Sequence, residues 1–387
     1  MGNVNEWQRQ FMLRLFSTVL LLQGKVNYSS LARHSELNEK TYRRWFGKDF
    51  DFAQFNLACL AQRPAKGELV AVMDASTIPK SGHKTYGLGK FYSGCLGQVV
   101  KGVEISELAL IDRKSRQAFA LSTAQTVDEA GKTRPELYAE QVMKAVSAET
   151  IPTDVRYLLV DAFYSKRSFI DPICELDRGL EIVGKLRCDA NLKYLYRGAY
   201  EGLGRPKKYA GKVDFSNLHR FIYEGEFATD LHIYTQTVWH VGLKRMIRLV
   251  LLLNTQAAQA RYILLFSTDL ELAGKDLVQL YQLRFQIEFL FRDAKQCTGL
   301  TDCQARSQHA LDFHFNMSMS ALNLAKLDLL QQHDASDTFV FSLRSYIHRN
   351  FSHRLLCRLL DSLALNLTCP KVNRAFKHAL ALGLDDA

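Results

Sequence analysis

No apolar run in this chain is long enough to cross a bilayer. The best candidate, Phe11 to Leu22, is broken by Arg14. It stops short of the roughly 20 residues a spanning helix requires and carries no cleavage-site pattern, so it reads as a core helix. Disulfide scaffolding is missing too. The eight cysteines show no C-x-x-C spacing. Cys297 and Cys303 are the nearest pair, and no second pair completes a zinc site. They read as free thiols in a reducing cytosol. The histidines form no constellation, since His309 and His314 are spaced to lie on different sides of a helix. Gly87-Leu88-Gly89 is not followed by Lys-Ser or Lys-Thr, which removes the case for a nucleotide cofactor. There is no low-complexity tract or internal repeat, and an apolar content of 47% argues against disorder. The 387 residues suffice for two or three domains. Fifty basic against forty acidic residues leave a charge of +10, which suits a polyanionic partner without requiring one.

The most informative segment runs from Tyr281 to Lys295. Tyr281, Arg284, Glu288 and Lys295 sit at helical offsets that bring all four within roughly 60° of one another at about 100° per residue. Leu283, Ile287, Leu290 and Ala294 gather on the other side. This is an amphipathic helix whose polar stripe holds one carboxylate between cations and an aromatic ring. Such a stripe can hold a metal-bound phosphate. It can equally be a solvated face with Arg284–Glu288 and Glu288–Arg292 pairs.

Two more carboxylates follow buried-looking strands. Leu69-Val70-Ala71-Val72-Met73 runs into Asp74, and Tyr157-Leu158-Leu159-Val160 runs into Asp161. Continuous apolar runs of this kind read as central strands covered on both faces. Sites in open α/β sheets gather near strand carboxyl ends, although an aspartate there is often just a cap or turn former.

With these residues in view, the chain resembles a DDE transposase of the bacterial insertion-sequence type, whose third acidic residue lies in a Tyr-x2-Arg-x3-Glu-x6-Lys signature. Tyr281, Arg284, Glu288 and Lys295 fit it without a gap. The block Met73-Asp74-Ala75-Ser76-Thr77 with the Gly-rich Lys80 to Gly89 is similar to the family's first block, and Val160 to Lys166 to its second. The strand-like Val183-Gly184-Lys185-Leu186-Arg187 fits as well, and the resemblance covers roughly residues 65 to 330.

The expected fold is an α/β ribonuclease-H-like catalytic domain with a β-rich insertion, an all-α N-terminal DNA-binding domain and a helical C-terminal region. The element pattern is compatible with it: antiparallel strands at Asp74, Glu104 to Ile111 and Gln117 to Ser122, the helix Arg134 to Ala148, then the Asp161 strand and Leu180 to Lys185. The resemblance selects it. The boundaries read as 1–62 for the N-terminal domain, 66–187 with 266–302 for the catalytic domain, 188–265 for the insertion and 303–387 for the tail. In the first of these, Tyr28 to Arg33 and Glu39 to Phe46 look like a helix-turn-helix capped by Asn38. Its Lys40, Arg43 and Arg44 are DNA-binding candidates over a small core of Leu31, Leu37 and Trp45. An ordinary helical hairpin with a basic surface is the alternative. Helices are expected from Ser307 to Gln331 and from Ser342 to Asn366, the latter as one or two.

The resemblance implies metal-dependent cleavage at transposon ends and strand transfer into target DNA. Asp74, Asp161 and Glu288 are the catalytic and metal-ligand candidates, for two Mg²⁺ ions that Mn²⁺ can replace. Tyr281, Arg284, Arg292 and Lys295 are candidates for holding DNA phosphates, and so is Arg187. Arg205, Lys207 and Lys208 form a basic loop suited to a DNA backbone. Trp239 either packs in the core or meets an unstacked base. The implied partner is double-stranded DNA, bound by a homodimer holding two ends, in a bacterial cytoplasm and without membrane contact. A ribonuclease-H-like nuclease that does not transpose, and an inactive DNA-binding relative, are the competing readings.

Overall fold

The computed structural model describes residues 4–64, 66–93, 97–200, 202, 204–256, 261–332 and 342–381. Its centre is a strand far longer than the sequence suggests. β1 (Leu69–Pro79) opens with five buried apolar residues and then continues through the polar Asp74-Ala75-Ser76-Thr77. The sequence reading ends this strand at Asp74. In the structure Asp74 lies mid-strand, because β3 (Gln98–Asp112) pairs antiparallel along its whole length, from Leu69↔Asp112 to Pro79↔Gly102. The ladder hydrogen bonds carry the strand past the point where its apolar pattern stops.

Strand β4 (Gln117–Thr126) flanks β3, and β2 (Gly89–Ser93) pairs with its first residues. On the other side β1 runs parallel to β5 (Tyr157–Val160), which runs parallel to β6 (Glu181–Leu186). The spatial order β4-β3-β1-β5-β6 thus has antiparallel strands first and parallel strands last, as the element pattern predicts. Alternation along β1 divides two cores. Ala71 and Met73 face α5 (Arg134–Ser147) and α6 (Arg167–Cys174). Val70 and Val72 face α7 (Gly274–Leu283), α8 (Phe285–Cys297) and α9 (Gln308–Gln332). By the two-residue period of a strand, Asp74 and Ser76 share the second face.

The β-rich stretch does not form a separate sheet. Its strands β7 (Leu192–Leu195), β8 (Tyr209–Lys212), β9 (Ile222–Ala228), β10 (Leu231–His240), β11 (Arg245–Asn254) and β12 (Arg261–Ser267) prolong the same one, with β12 antiparallel to β6. Coverage on both faces explains why Leu249 to Leu252 are all buried. The N-terminal helices α1 (Glu6–Val19), α2 (Tyr28–Arg33), α3 (Glu39–Trp45) and α4 (Phe52–Leu60) likewise share a core with α9. Phe46 and Phe52 pack on Phe313, and Phe11 stacks on Trp45. Beyond α9, α10 (Leu343–Ser362) is one helix where one or two are expected, and α11 (Pro370–Ala381) follows with no buried residue. Residues 333–341 and 382–387 of the tail lie outside the described residues.

The outer edge of β4 is closed by side chains of α9. Asn323 bonds both the N–H and the C=O of Ala120, at 2.9 and 2.8 Å, and Asn316 does the same for Thr123. Lys326 donates to the Ala118 carbonyl. Edge strands need such cover, and two amides seven residues apart on a helix supply it much as a partner strand would. Asn323→Ala leaves two buried backbone groups unpaired, and at about 1–3 kcal/mol for each such group the loss should be about 3 kcal/mol. A urea-melt midpoint unchanged from the parent protein would refute this.

Candidate active site

Register brings the two aspartates together. Ala71 pairs with Leu158 and Val72 with Leu159 across the parallel β1–β5 ladder, so the same offset sets Asp161 level with Asp74 on the neighbouring strand. β5 stops at Val160, and Asp161 caps a single 3-10 turn, Ala162–Tyr164, accepting the Phe163 N–H at 2.8 Å with Oδ1. Asp74 accepts the Ala75 N–H at 2.8 Å with its own Oδ1. Each aspartate therefore has one oxygen tied to backbone.

Glu288 arrives from α8. The apolar side read from the sequence is buried: Leu283, Ile287, Leu290 and Ala294 are each 5% exposed or less. That seats the helix against the sheet, with Arg284 and Lys295 reaching β1 and Glu288 left exposed beside them. The helix is not uniform. Arg284 keeps helical dihedrals but separates α7 from α8, and around it the backbone bonds tighten, Arg284 N to Tyr281 O at 3.1 Å and Ile287 N to Arg284 O at 3.2 Å. At this joint Arg284 Nη1 reaches Asp74 Oδ2 at 3.3 Å while Nη2 bonds Glu288 Oε1. The guanidinium lies between the two carboxylates. Lys295, two turns on, donates to Ser76 Oγ at 2.7 Å. Ser76 is the strand neighbour of Asp74 on the same face, a contact the sequence reading missed although the spacing of two carries the signal.

The charges are coupled. Burial pushes the Asp74 carboxyl up to about 6, the Ala75 N–H opposes this, Asp161 adds to it, Arg284 opposes and Glu288 adds. Burial works against the Arg284 charge, but Tyr281, Asp74 and Glu288 raise its pKa above the ordinary value. Burial also raises Tyr281, with Arg284 lowering it and Asp161 and Glu288 raising it further. These five side chains thus form one electrostatic unit. Arg284 Nε in this unit lacks a hydrogen-bond partner within the protein, as does the hydroxyl of the fully buried Tyr164, which feels the charges of Asp74 and Asp161.

Among the described residues no three ligand-type side chains stand as a ready-made cage. The donor set nevertheless fits a hard divalent cation. It is all carboxylate oxygen, with three negative charges against one guanidinium and orphaned polar atoms alongside.

The remaining candidates lie elsewhere. Arg292 is held by Asp293 and lies over Phe289. Arg187 is exposed and pairs with Asp189. Arg205 is exposed in the loop before β8, Lys207 lies over Tyr196 and Lys208 over the half-buried Trp239. Lys40 and Arg44 are exposed on α3, whereas Arg43 is tied to Glu39 and stacks on Tyr28. None of these described contacts is with the three carboxylates.

No helix among the described residues is long and apolar enough to cross a membrane. No curated protein matches the chain. Among solved structures it is similar to the piggyBac transposase synaptic complex with hairpin DNA, at 12% identity and a TM-score of 0.42, over 97% of this chain and 75% of that one. The family described as "Transposase DDE domain" matches residues 65–324, well over half of the sequence and all of the residues that build the site, so the chain belongs to the DDE transposase domain family and functions as a DNA transposase.

Proposed function

We propose that Asp74, Asp161 and Glu288 are the catalytic carboxylates of this transposase, cutting the DNA backbone at the ends of a mobile element and joining the freed ends to target DNA. The observation that carries the reading is the β1–β5 register, whose offset continued past Val160 sets Asp161 level with Asp74, together with the Arg284 link from Asp74 to Glu288. The three carboxylates would hold two Mg²⁺ ions, for which Mn²⁺ would substitute. When bound, the ions neutralise charge developing on the attacking and leaving oxygens of an in-line phosphoryl displacement.

The chain's own groups do the rest. Arg284 offers a planar fork to a phosphate, and Lys295 a point charge next to it. Tyr281 covers the guanidinium side of the site and limits water there. The test is a plasmid carrying the coding region with its native flanks, incubated with the protein and Mg²⁺. Breaks at the element borders followed by joined products support transposition. Breaks without joining support a nuclease, and neither product removes the assignment.

The active form in this reading is a dimer on two DNA ends, since joining both ends to one target requires two sites held together. The exposed Leu355 and Leu359 of α10, with Leu363 just after it, and the unburied α11 offer surface for it. Light scattering on the protein with end DNA should give two chains per complex. One chain per single end, under conditions where joining proceeds, would rule it out.

A further inference from the structure

A second basic feature lies at the far end of β1. A cavity of about 780 Å³ opens between α3, the loop after β1 and the loop before α9. Arg43, Lys80 and Arg306 line it, with the hydroxyls of Ser81, Thr85 and Ser307, and no aspartate or glutamate is among its lining residues. Three separate stretches of sequence thus converge on one cationic hollow.

Its walls are built rather than incidental. Lys80 directs its ammonium to the Cys303 carbonyl, which binds the strand exit to the loop before α9. The Tyr86 N–H donates to the Arg306 carbonyl at 2.9 Å, and Gln125 donates to the Tyr86 carbonyl at 2.7 Å. Gly87 makes this packing possible. Its φ is +66°, and a Cβ there would meet Gln125 Nε2 at 2.3 Å. Arg43 is held over the Tyr28 ring at 4.7 Å, with Glu39 fixing its other side. Asp302, whose charge Lys80 feels, accepts the Val26 N–H at 2.9 Å. The Gly-rich segment from Lys80 to Gly89 therefore presents fixed cations and hydroxyls to one hollow.

We propose that this groove is a phosphate clamp for the backbone of duplex DNA, set a fixed distance from the catalytic carboxylates by β1. Lys80 lies six residue steps beyond Asp74, just past the end of β1, roughly 20 Å at about 3.3 Å per residue. A duplex lying with its axis along β1 advances about six base pairs over that span, at about 3.4 Å of axial rise each. Ser76, to which Lys295 donates, lies between Asp74 and Lys80 in the sequence, on β1. The clamp joins α3 to the catalytic sheet through the DNA, so the N-terminal helices and the active site read one duplex in one register. The position rests on the assignment of Asp74 as catalytic; the grip itself does not.

The grip is tested with a short duplex of arbitrary sequence in metal-free buffer, because phosphate contacts carry no sequence information. Binding is measured from about 50 to about 200 mM salt for the wild type, Arg306→Gln, Lys80→Gln with Arg306→Gln, and Lys144→Gln. Arg306 is exposed and its side chain has no described bond within the protein, so its replacement removes no described contact of the fold. Lys144 is an exposed cation on α5 that does not line the groove. The slope of log affinity against log salt should fall by about 0.9 in the single variant and about 1.8 in the double, with affinity down about tenfold or more in the double. Lys144→Gln should match the wild type. Unchanged slopes in both groove variants, or an equal fall in Lys144→Gln, overturn the clamp. Because no cleavage is read, failure of the catalytic assignment leaves this result standing. Mapping phosphate ethylation on DNA cut by the wild type then fixes the position: interference about six steps from the cut, lost in Arg306→Gln, supports the spacing, and interference elsewhere overturns it.

Discussion

Asp161→Asn should lower DNA cleavage by at least about 10³-fold, a loss of about 4 kcal/mol in transition-state stabilisation, and leave DNA affinity within about twofold of the wild type. The asymmetry follows from what each oxygen of Asp161 does. Oδ1 caps the 3-10 turn by accepting the Phe163 N–H, and an asparagine keeps that acceptor. Truncation to alanine would also delete the cap, at about 1 kcal/mol, and confuse folding with catalysis. What asparagine removes is one negative charge from a cluster that holds three beside a single guanidinium. The cations expected to grip DNA lie on other elements and are untouched. A gel-shift titration beside a cleavage time course separates the effects. Equal losses in both would mean that Asp161 shapes the DNA surface and not the chemistry.

Much of this site was legible in the sequence, for a physical reason. The signature helix buries Leu283, Ile287, Leu290 and Ala294, and the same period gathers Tyr281, Arg284 and Glu288 on its other side. The apolar runs before Asp74 and Asp161 did mark central strands. What the sequence hid depends on partners remote in the chain. β1 continues past Asp74 because Ser76 pairs with Ile105 and Ile78 with Val103, and no local pattern announces a ladder. β7 and β8 are four residues each and owe their form to neighbouring strands. The merger of the N-terminal helices with α9 depends on Phe313, whose role is visible only when Phe46 and Phe52 stand against it. The plain reading of Arg284 was half right. It does pair with Glu288 at i,i+4, yet the side chain is only 10% exposed and also holds Asp74. Periodicity can place a side chain on a face, but it cannot say that the facing strand brings a second carboxylate.

Arg284→Met tests that double attachment, and its effect should depend on divalent cation. Methionine keeps much of the apolar stem and removes the charge. Without metal, Asp74 is then a buried carboxylate beside Asp161 and Glu288 with no opposing cation. Breaking a buried pair from one side costs about 3–5 kcal/mol, and the half-exposed Glu288 places this case toward the lower end. The melting temperature should fall by several degrees. Millimolar Mg²⁺ should then raise it more in the variant than in the wild type, because in the wild type the ion competes with a guanidinium already seated between Asp74 and Glu288. Stability gained through a ligand follows its concentration relative to its dissociation constant, so the competition appears as a shift of the Mg²⁺ midpoint to lower concentration in Arg284→Met. Cleavage should still fall by about 10²-fold or more, since the fork that holds the phosphate is gone. Thermal melts across a Mg²⁺ series, with a cleavage assay at saturating metal, read both quantities. Equal Mg²⁺ responses in the two proteins would show that the ion and Arg284 do not share the space between the carboxylates.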